Sequence, residues 1–153
     1  MGKTLVIIKP SAIRRNLTGE IIHRFERKGL QISGIKMMQL DDRILDEHYG
    51  HLKNKPFFQR IKNSMMSSPV VVCCLKSIDC VHIAHTMAGC TNGREAAMGT
   101  IRGDYSVSIQ ENIIHTSDTV ENANIEIARF FNKEEILEFD QLSRDVLYAN
   151  DEF

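Results

Sequence analysis

The sequence has few of the features that announce a membrane, secreted or nucleic-acid-binding protein. Its longest uninterrupted apolar run, residues 70–75, is too short to cross a bilayer. The apolar stretch near the N-terminus covers only residues 5–8, too short for a secretory signal. Met1-Gly2 opens an N-myristoylation pattern, but Val6 stands where that pattern needs Ser or Thr. Asp151-Glu152-Phe153 matches no retention signal. There is no charge bias either: the formal net charge is -1 with 25% charged residues, which argues against a nucleic-acid binder working by bulk charge. No block of like charges marks a tail. The four cysteines form no C-x-x-C pair, and Cys73 and Cys74, adjacent on an expected strand, should point to opposite faces. Free thiols and a cytoplasmic location are the expectation.

The common phosphate-handling signatures are missing as well. There is no GxxxxGK[ST], no GxGxxG, and no HRD or DFG. No HExxH marks a metalloprotease, and no RNP1 pattern marks an RNA-recognition module. A nucleotide, if bound, is bound without the usual phosphate loops.

What remains fits one domain with one core: 153 residues, 42% of them hydrophobic, without repeats or low-complexity tracts. Residues 3–8 read as a short buried strand stopped by Pro10. Thr18 is placed to cap a helix with Ile21, Ile22 and Phe25 on one face and Gly29 just past its end. Residues 30–39 form a second strand, with a bulge or close packing expected at Gly34. Two short helices, 42–52 and 57–66, flank Pro56. Residues 70–75 read as a central strand. Residues 78–88 read as a helix ended by Gly89. Residues 90–104 lack periodicity and read as a long, functional loop. Residues 105–109 alternate apolar residues with Ser and suggest a half-exposed strand. Asp118-Thr119-Val120-Glu121 resembles a capping box opening a helix buried along Val120, Ala123, Ile127 and Phe130. This order of elements predicts a ferredoxin-like βαββαβ α/β sandwich, an antiparallel sheet with its helices on one face.

The stretch NIIHTSD, residues 112–118, raises the functional question. His115 sits between an apolar segment and a helix start, where backbone N–H groups favour anions. Imidazole is nucleophilic near neutral pH. A carboxylate on its other nitrogen would fix the tautomer, and Glu121 and Glu126 are both candidates. Lys9, ending the first strand, and Arg102, between glycines, suit phosphate oxygens. Two histidine pairs, His48/His51 and His82/His85, are spaced i,i+3, but neither has zinc-site spacing.

These residues accumulate into a resemblance. TLVIIKP, GEIIHRFERKGLQISGIKM, EHYGHLKNKPFF, SSPVVV, MGTIRGDY and NIIHTSDTVENANIEIARFF, in order over about residues 4–131, together resemble nucleoside diphosphate kinase. The resemblance continues through residues 139–148. It implies transfer of the γ-phosphate of a nucleoside triphosphate to a nucleoside diphosphate by a ping-pong route, with His115 carrying the phosphate on Nδ1. It further implies that Glu126 holds the other nitrogen, that Ser117 supports the pair, and that Tyr49 packs near the histidine. Lys9 and Asn112 would reach phosphates and ribose, Thr91 and Arg102 the phosphates, and Phe57 would stack on the base. Stacking needs only a π-face, so ATP, ADP, GTP and GDP would all serve. Mg²⁺ would arrive on the nucleotide phosphates, with Asp118 reaching it through water. A homohexamer is implied, with tetramer and dimer as alternatives. Residues 1–153 would form a single domain whose tail, 132–153, takes part in assembly.

The chain also departs from the family pattern. His85 stands at the usual position of a phosphate-binding arginine, and histidine cannot form a bidentate fork. Thr116 replaces a small residue after the histidine and crowds that corner. Ser11-Ala12 replaces a usual Asp-Gly. Gly93 and Met98 replace prolines, which should loosen the long loop. The alternative reading is therefore a catalytically weakened nucleotide-binding regulatory or interaction protein on the same fold.

Overall fold

The structure is a computed structural model that describes residues 1–141 and 143–152. Leu142 and Phe153, both within the tail 132–153, lie outside the described residues. Four strands make one sheet: β1 (Gly2–Ile8), β2 (Gln31–Met38), β3 (Val70–Ser77) and β4 (Ile114–Thr116), in the order β2-β3-β1-β4. Every neighbouring pair is antiparallel. The antiparallel α/β architecture matches the sequence reading, and β3 is central as expected.

The helices do not sit on one face. Leu5, Ile7, Val72 and Cys74 pack against α3 (Asp42–His48), α4 (Phe58–Met66) and α7 (Val120–Phe130) through Leu45, Met65 and Phe130. Val6, Ile8, Val71 and Cys73 pack on the other side. Their partners there are α1 (Pro10–Ile13), α2 (Thr18–Lys28) and α5 (Cys80–Ala88), through Ala12, Ile21, Phe25 and Ala84. The cause is legible: β1 and β3 are apolar at consecutive positions, so both faces of the sheet need cover. Cys73 and Cys74 do face opposite cores, and all four cysteines are free.

Local details refine the expectations. The N-cap of α2 is Leu17, whose carbonyl accepts from the Ile21 N–H at 3.0 Å; Thr18 is the first helical residue and makes no capping hydrogen bond. Gly29 ends α2 with φ 100°, a conformation that costs glycine little. The expected irregularity at Gly34 is real: Ser33 is extra in the pairing, and its carbonyl accepts from Leu137 N–H at 2.8 Å. A side chain at 34 would meet Ile136 Cδ1 at 2.9 Å, so the bulge also receives the chain that crosses it.

Residues 105–109 are not a strand. A short helix α6 (Ile101–Tyr105) interrupts the long loop, with the Thr100 hydroxyl accepting from Gly103 N–H. After it, the Ser106 hydroxyl donates to the carbonyls of Ser108 and Glu111, both at 3.1 Å. Such local bonds compete with a ladder, and Val107 and Ile109 are left exposed. The capping box at 118–121 is also absent. Thr119 caps α7 by accepting from Asn122 N–H at 3.1 Å, while Asp118 accepts from the Asn122 amide at 2.7 Å. That shift places Val120 on the solvent side, 65% exposed, leaving Ala123, Ile127 and Phe130 as the inward stripe. The described residues also include 3₁₀ turns at Gly50–Leu52 and Lys133–Glu135 and a terminal helix α8 (Arg144–Leu147).

Gly93 does not loosen its loop. Its N–H donates to Ser108 O at 3.1 Å, and a side chain there would lie 2.4 Å from Ser106 Oγ and 2.6 Å from the Ser106 carbonyl. The close approach ties the two ends of the loop together. Gly93→Ala should therefore lower the urea-unfolding free energy by about 1–3 kcal/mol. Gly93→Pro, which also loses the N–H, should lower it further; an unchanged midpoint for both would refute this account of the loop.

Candidate active site

A cavity of about 850 Å³ opens at the end of the sheet where β1 and β4 meet. Each residue of the expected site lines it except Ser117, which is fully buried behind His115. The corner that delivers His115 is made by an unusual turn. Ile114 N–H donates to Asn112 O at 2.8 Å, and Ile113 between them has φ 77°. This is a γ-turn with a β-branched residue at positive φ, a conformation that costs on the order of 1–3 kcal/mol.

Arg102 holds that turn. Its guanidinium donates to Asn112 O at 3.2 Å, to Ile114 O at 2.7 Å and to Gly89 O at 2.7 Å. It is 7% exposed. A guanidinium has five N–H bonds, so two remain for the cavity it lines. The residue expected to contact phosphate is thus first a clamp on the backbone around the nucleophile. From β1, Lys9 N–H adds a bond to Ile113 O at 2.9 Å.

On β4, opposite Ile7, His115 presents Nε2 to Glu126 Oε2 at 3.0 Å. Ser117 Oγ donates to the same oxygen at 2.6 Å and accepts from Leu5 N–H at 3.3 Å. Burial pushes the Glu126 carboxyl up, but the His115 and Ser117 hydrogen bonds outweigh it and leave the group below the usual carboxylate range. Glu126 is therefore ionised and accepts the Nε2 proton of His115, which fixes the tautomer of the ring. Glu121, the other candidate, is exposed in the first turn of α7 and takes no part.

The charged and polar lining follows. Lys9 Nζ donates to Asn112 Oδ1 at 2.6 Å, and the Asn112 amide donates to Thr91 O and Ile109 O at 3.1 and 2.8 Å. Phe57 caps the N-terminus of α4 at the cavity edge. Tyr49 is buried and its hydroxyl is pushed up by burial and by the Glu126 charge. It reaches the nucleophile indirectly: its ring packs on His48 at 4.7 Å, and His48 packs on His115 at 4.7 Å. The two departures at this corner touch one another, His85 Nδ1 lying 3.2 Å from Thr116 Oγ1.

Sequence reasoning missed His48 as a neighbour of His115, and with it Arg129, whose Nη1 donates to His48 Nδ1 at 2.9 Å. The i,i+3 spacing pointed to His51 instead; no local signal joins positions 48, 115 and 129. Neither histidine pair forms a metal cluster. Among the described residues, only His48, His115 and Glu126 bring ligand atoms close together, within 4.8 Å. That cluster is suited to hydrogen bonding rather than to an ion, because Arg129 occupies the His48 Nδ1 lone pair and Glu126 the His115 Nε2 proton.

An imidazole with its tautomer fixed by a carboxylate, facing a cavity lined by Lys9, Arg102 and Asn112, defines a phosphotransferase with a histidine nucleophile. The comparisons with known proteins agree: a family model for nucleoside diphosphate kinase matches residues 2–136, and the chain belongs to that family. It is 58% identical to the nucleoside diphosphate kinase of Parabacteroides distasonis over 153 residues, 100% of both chains. The crystal structure of the enzyme from Encephalitozoon cuniculi, in its apo form, is 40% identical and superimposes with a TM-score of 0.93, covering 97% of this chain and 100% of that one. The enzyme from Halobacterium salinarum, solved in complex with CDP, is 35% identical with a TM-score of 0.93, covering 95% and 97% of the two chains.

Burial, reinforced by the Arg102 charge and opposed by Glu111, pulls the Lys9 ammonium down to about 8. A lysine with a depressed value is charged below that pH and neutral above it, and kcat/KM reports groups of the free enzyme. kcat/KM for nucleotide should therefore fall as pH rises above about 8. In Lys9→Arg, whose guanidinium keeps its proton, that limb should vanish; an identical alkaline limb in the variant would assign the titration elsewhere.

Proposed function

We infer that this protein transfers the γ-phosphate of a nucleoside triphosphate to a nucleoside diphosphate through a phosphohistidine at His115. The observation that carries the reading is the chain Leu5 N–H to Ser117 Oγ to Glu126 to His115 Nε2, which leaves Nδ1 as the attacking nitrogen. In the first half-reaction the Nδ1 lone pair forms a bond to the γ-phosphorus as the bond to the bridging β–γ oxygen breaks. The diphosphate leaves with that oxygen. The phosphorylated ring carries a positive charge, which the Glu126 carboxylate offsets through Nε2–H. In the second half-reaction a terminal oxygen of an acceptor diphosphate attacks the same phosphorus and the P–N bond breaks.

Phosphoryl transfer asks for positioning and charge neutralisation more than for covalent machinery. Lys9, Thr91, Asn112 and the two spare N–H bonds of Arg102 are the groups we assign to phosphates and ribose. Phe57 is assigned to the base, where a π-face accepts ATP, ADP, GTP and GDP alike. The nucleotide is taken as its Mg²⁺ complex, in which the ion neutralises phosphate oxygens. Asp118, held below the usual carboxylate range by its Asn122 hydrogen bond, lines the same cavity and fits a water-mediated contact to that ion. We further propose a cytoplasmic enzyme, a single domain over 1–153 and a homohexamer, with tetramer and dimer as alternatives, in whose assembly the tail takes part. No helix among the described residues is long and apolar enough to cross a membrane.

The intact hydrogen-bond chain on His115 favours this reading over a weakened binding protein. Initial rates with ATP and a second diphosphate should give parallel double-reciprocal lines, and His115→Ala should abolish them; intersecting lines would indicate direct transfer in a ternary complex. His85 costs affinity rather than activity. Restoring arginine there should lower the KM for nucleotide about tenfold or more, the worth of one charge-assisted contact. A KM that stays level or rises would contradict the phosphate assignment of position 85.

A further inference from the structure

We propose that His48 is a positioning residue for His115, held by Arg129 as a neutral imidazole protonated on Nε2 and packed edge-on against the nucleophile ring to fix its plane. The inference rests on the phosphohistidine reading and deepens it.

His48 ends α3 and is 5% exposed. Arg129 on α7 donates to its Nδ1 at 2.9 Å. A guanidinium only donates, so Nδ1 must carry a lone pair and the ring proton must sit on Nε2. That Nε2 is buried and has no hydrogen-bond partner. An unsatisfied buried donor is costly, and phenylalanine would fill the same place without it. Histidine earns its position at the opposite nitrogen, where the bond to Arg129 stops the ring from turning. Arg129 is also ion-paired, its Nε lying 3.3 Å from Oε1 of the exposed Glu47 without a hydrogen bond. The His48 ring then meets His115 at 4.7 Å and 80°, and Phe130 at 5.2 Å and 82°, both edge to face. His115 is thus held from two sides, by Glu126 on Nε2 and by the His48 ring.

The surroundings of the ring also keep it uncharged. The groups facing His48 are His115 on β4, Glu126 and Arg129 on α7, and His51 and Glu47 on its own segment. Burial, then His115 and Arg129, pull His48 down to about 3 against the opposing pull of Glu126. The ring therefore stays uncharged through the working pH range and does not compete with His115 for the Glu126 carboxylate. Burial is the larger part of that hold, so loss of Arg129 frees the orientation of the ring rather than its charge.

The direct test is ¹⁵N NMR of the histidine rings of the wild-type protein between pH 5.5 and 8. His48 should show protonated Nε2 and unprotonated Nδ1 throughout; an Nδ1-protonated or titrating His48 would overturn the proposal. The kinetic test follows phosphoenzyme formation from ATP in single turnovers. Arg129→Met should slow phosphorylation about tenfold with KM little changed, because the His48 ring is then free to turn. His48→Leu/Arg129→Met should be no slower than His48→Leu, the mark of two residues acting through one contact. His48→Leu should slow phosphorylation about tenfold with KM little changed, the signature of a misplaced nucleophile. A phosphorylation rate for Arg129→Met equal to that of wild type would overturn the lock. Absence of any phosphoenzyme in the wild type would instead defeat the functional reading, leaving the NMR result to judge the tautomer.

Discussion

The grip of one buried guanidinium on three carbonyls is the constraint on which this site depends. Arg102 takes Gly89 O at the end of α5, and Asn112 O and Ile114 O on either side of Ile113. Ile113 needs such restraint, because a β-branched residue at φ 77° stays there only when its surroundings over-determine it. Lys9 N–H completes the hold from β1. The strained turn aims His115 out of β4 toward the cavity, and the same turn places Asn112 to bind the Lys9 ammonium. Backbone strain, the cationic lining of the cavity and the orientation of His115 are therefore one structure rather than three features that happen to adjoin.

Charge in the site is arranged in opposing layers. Behind the nucleophile, Glu126 is kept ionised by the donors around it in spite of its burial. In front, Lys9 and Arg102 share a partly dehydrated space, where burial and the Arg102 charge weaken the hold of Lys9 on its proton and burial alone weakens that of Arg102. An incoming polyphosphate relieves that repulsion, which is a physical reason for the cavity to favour anions. Around position 116 the balance is weaker. His85 takes this corner without a permanent charge, and its Nδ1 is already engaged with Thr116 Oγ1.

Much of this was readable from the residues, for reasons that are local. Consecutive apolar residues at 70–75 and 5–8 marked the two central strands, and Gly34 marked the bulge. The failures are equally physical. The alternation at 105–109 mimicked a strand, but Ser106 bonds its own loop and no core lies beneath Val107 and Ile109. The capping box failed by one position because Thr119 competes with Asp118 for the helix start. The same apolar continuity that revealed β1 and β3 implied helices on both faces, and the one-sided arrangement was the wrong consequence to draw. At the site, spacing left Glu121 and Glu126 equal; only the family resemblance separated them, and the geometry agrees with it. His48 and Arg129 were invisible, since 81 residues separate them and nothing local connects them to position 115.

By occupying Nε2 of His115, Glu126 would direct phosphate to Nδ1. The most direct measurement is ³¹P NMR of the enzyme after incubation with ATP and Mg²⁺ and removal of nucleotide, in the denatured state at alkaline pH where phosphohistidine survives. The account predicts one resonance, that of histidine phosphorylated on Nδ1, lost on addition of GDP before denaturation and absent in His115→Ala. Phosphate on Nε2, or on a residue other than His115, would contradict it.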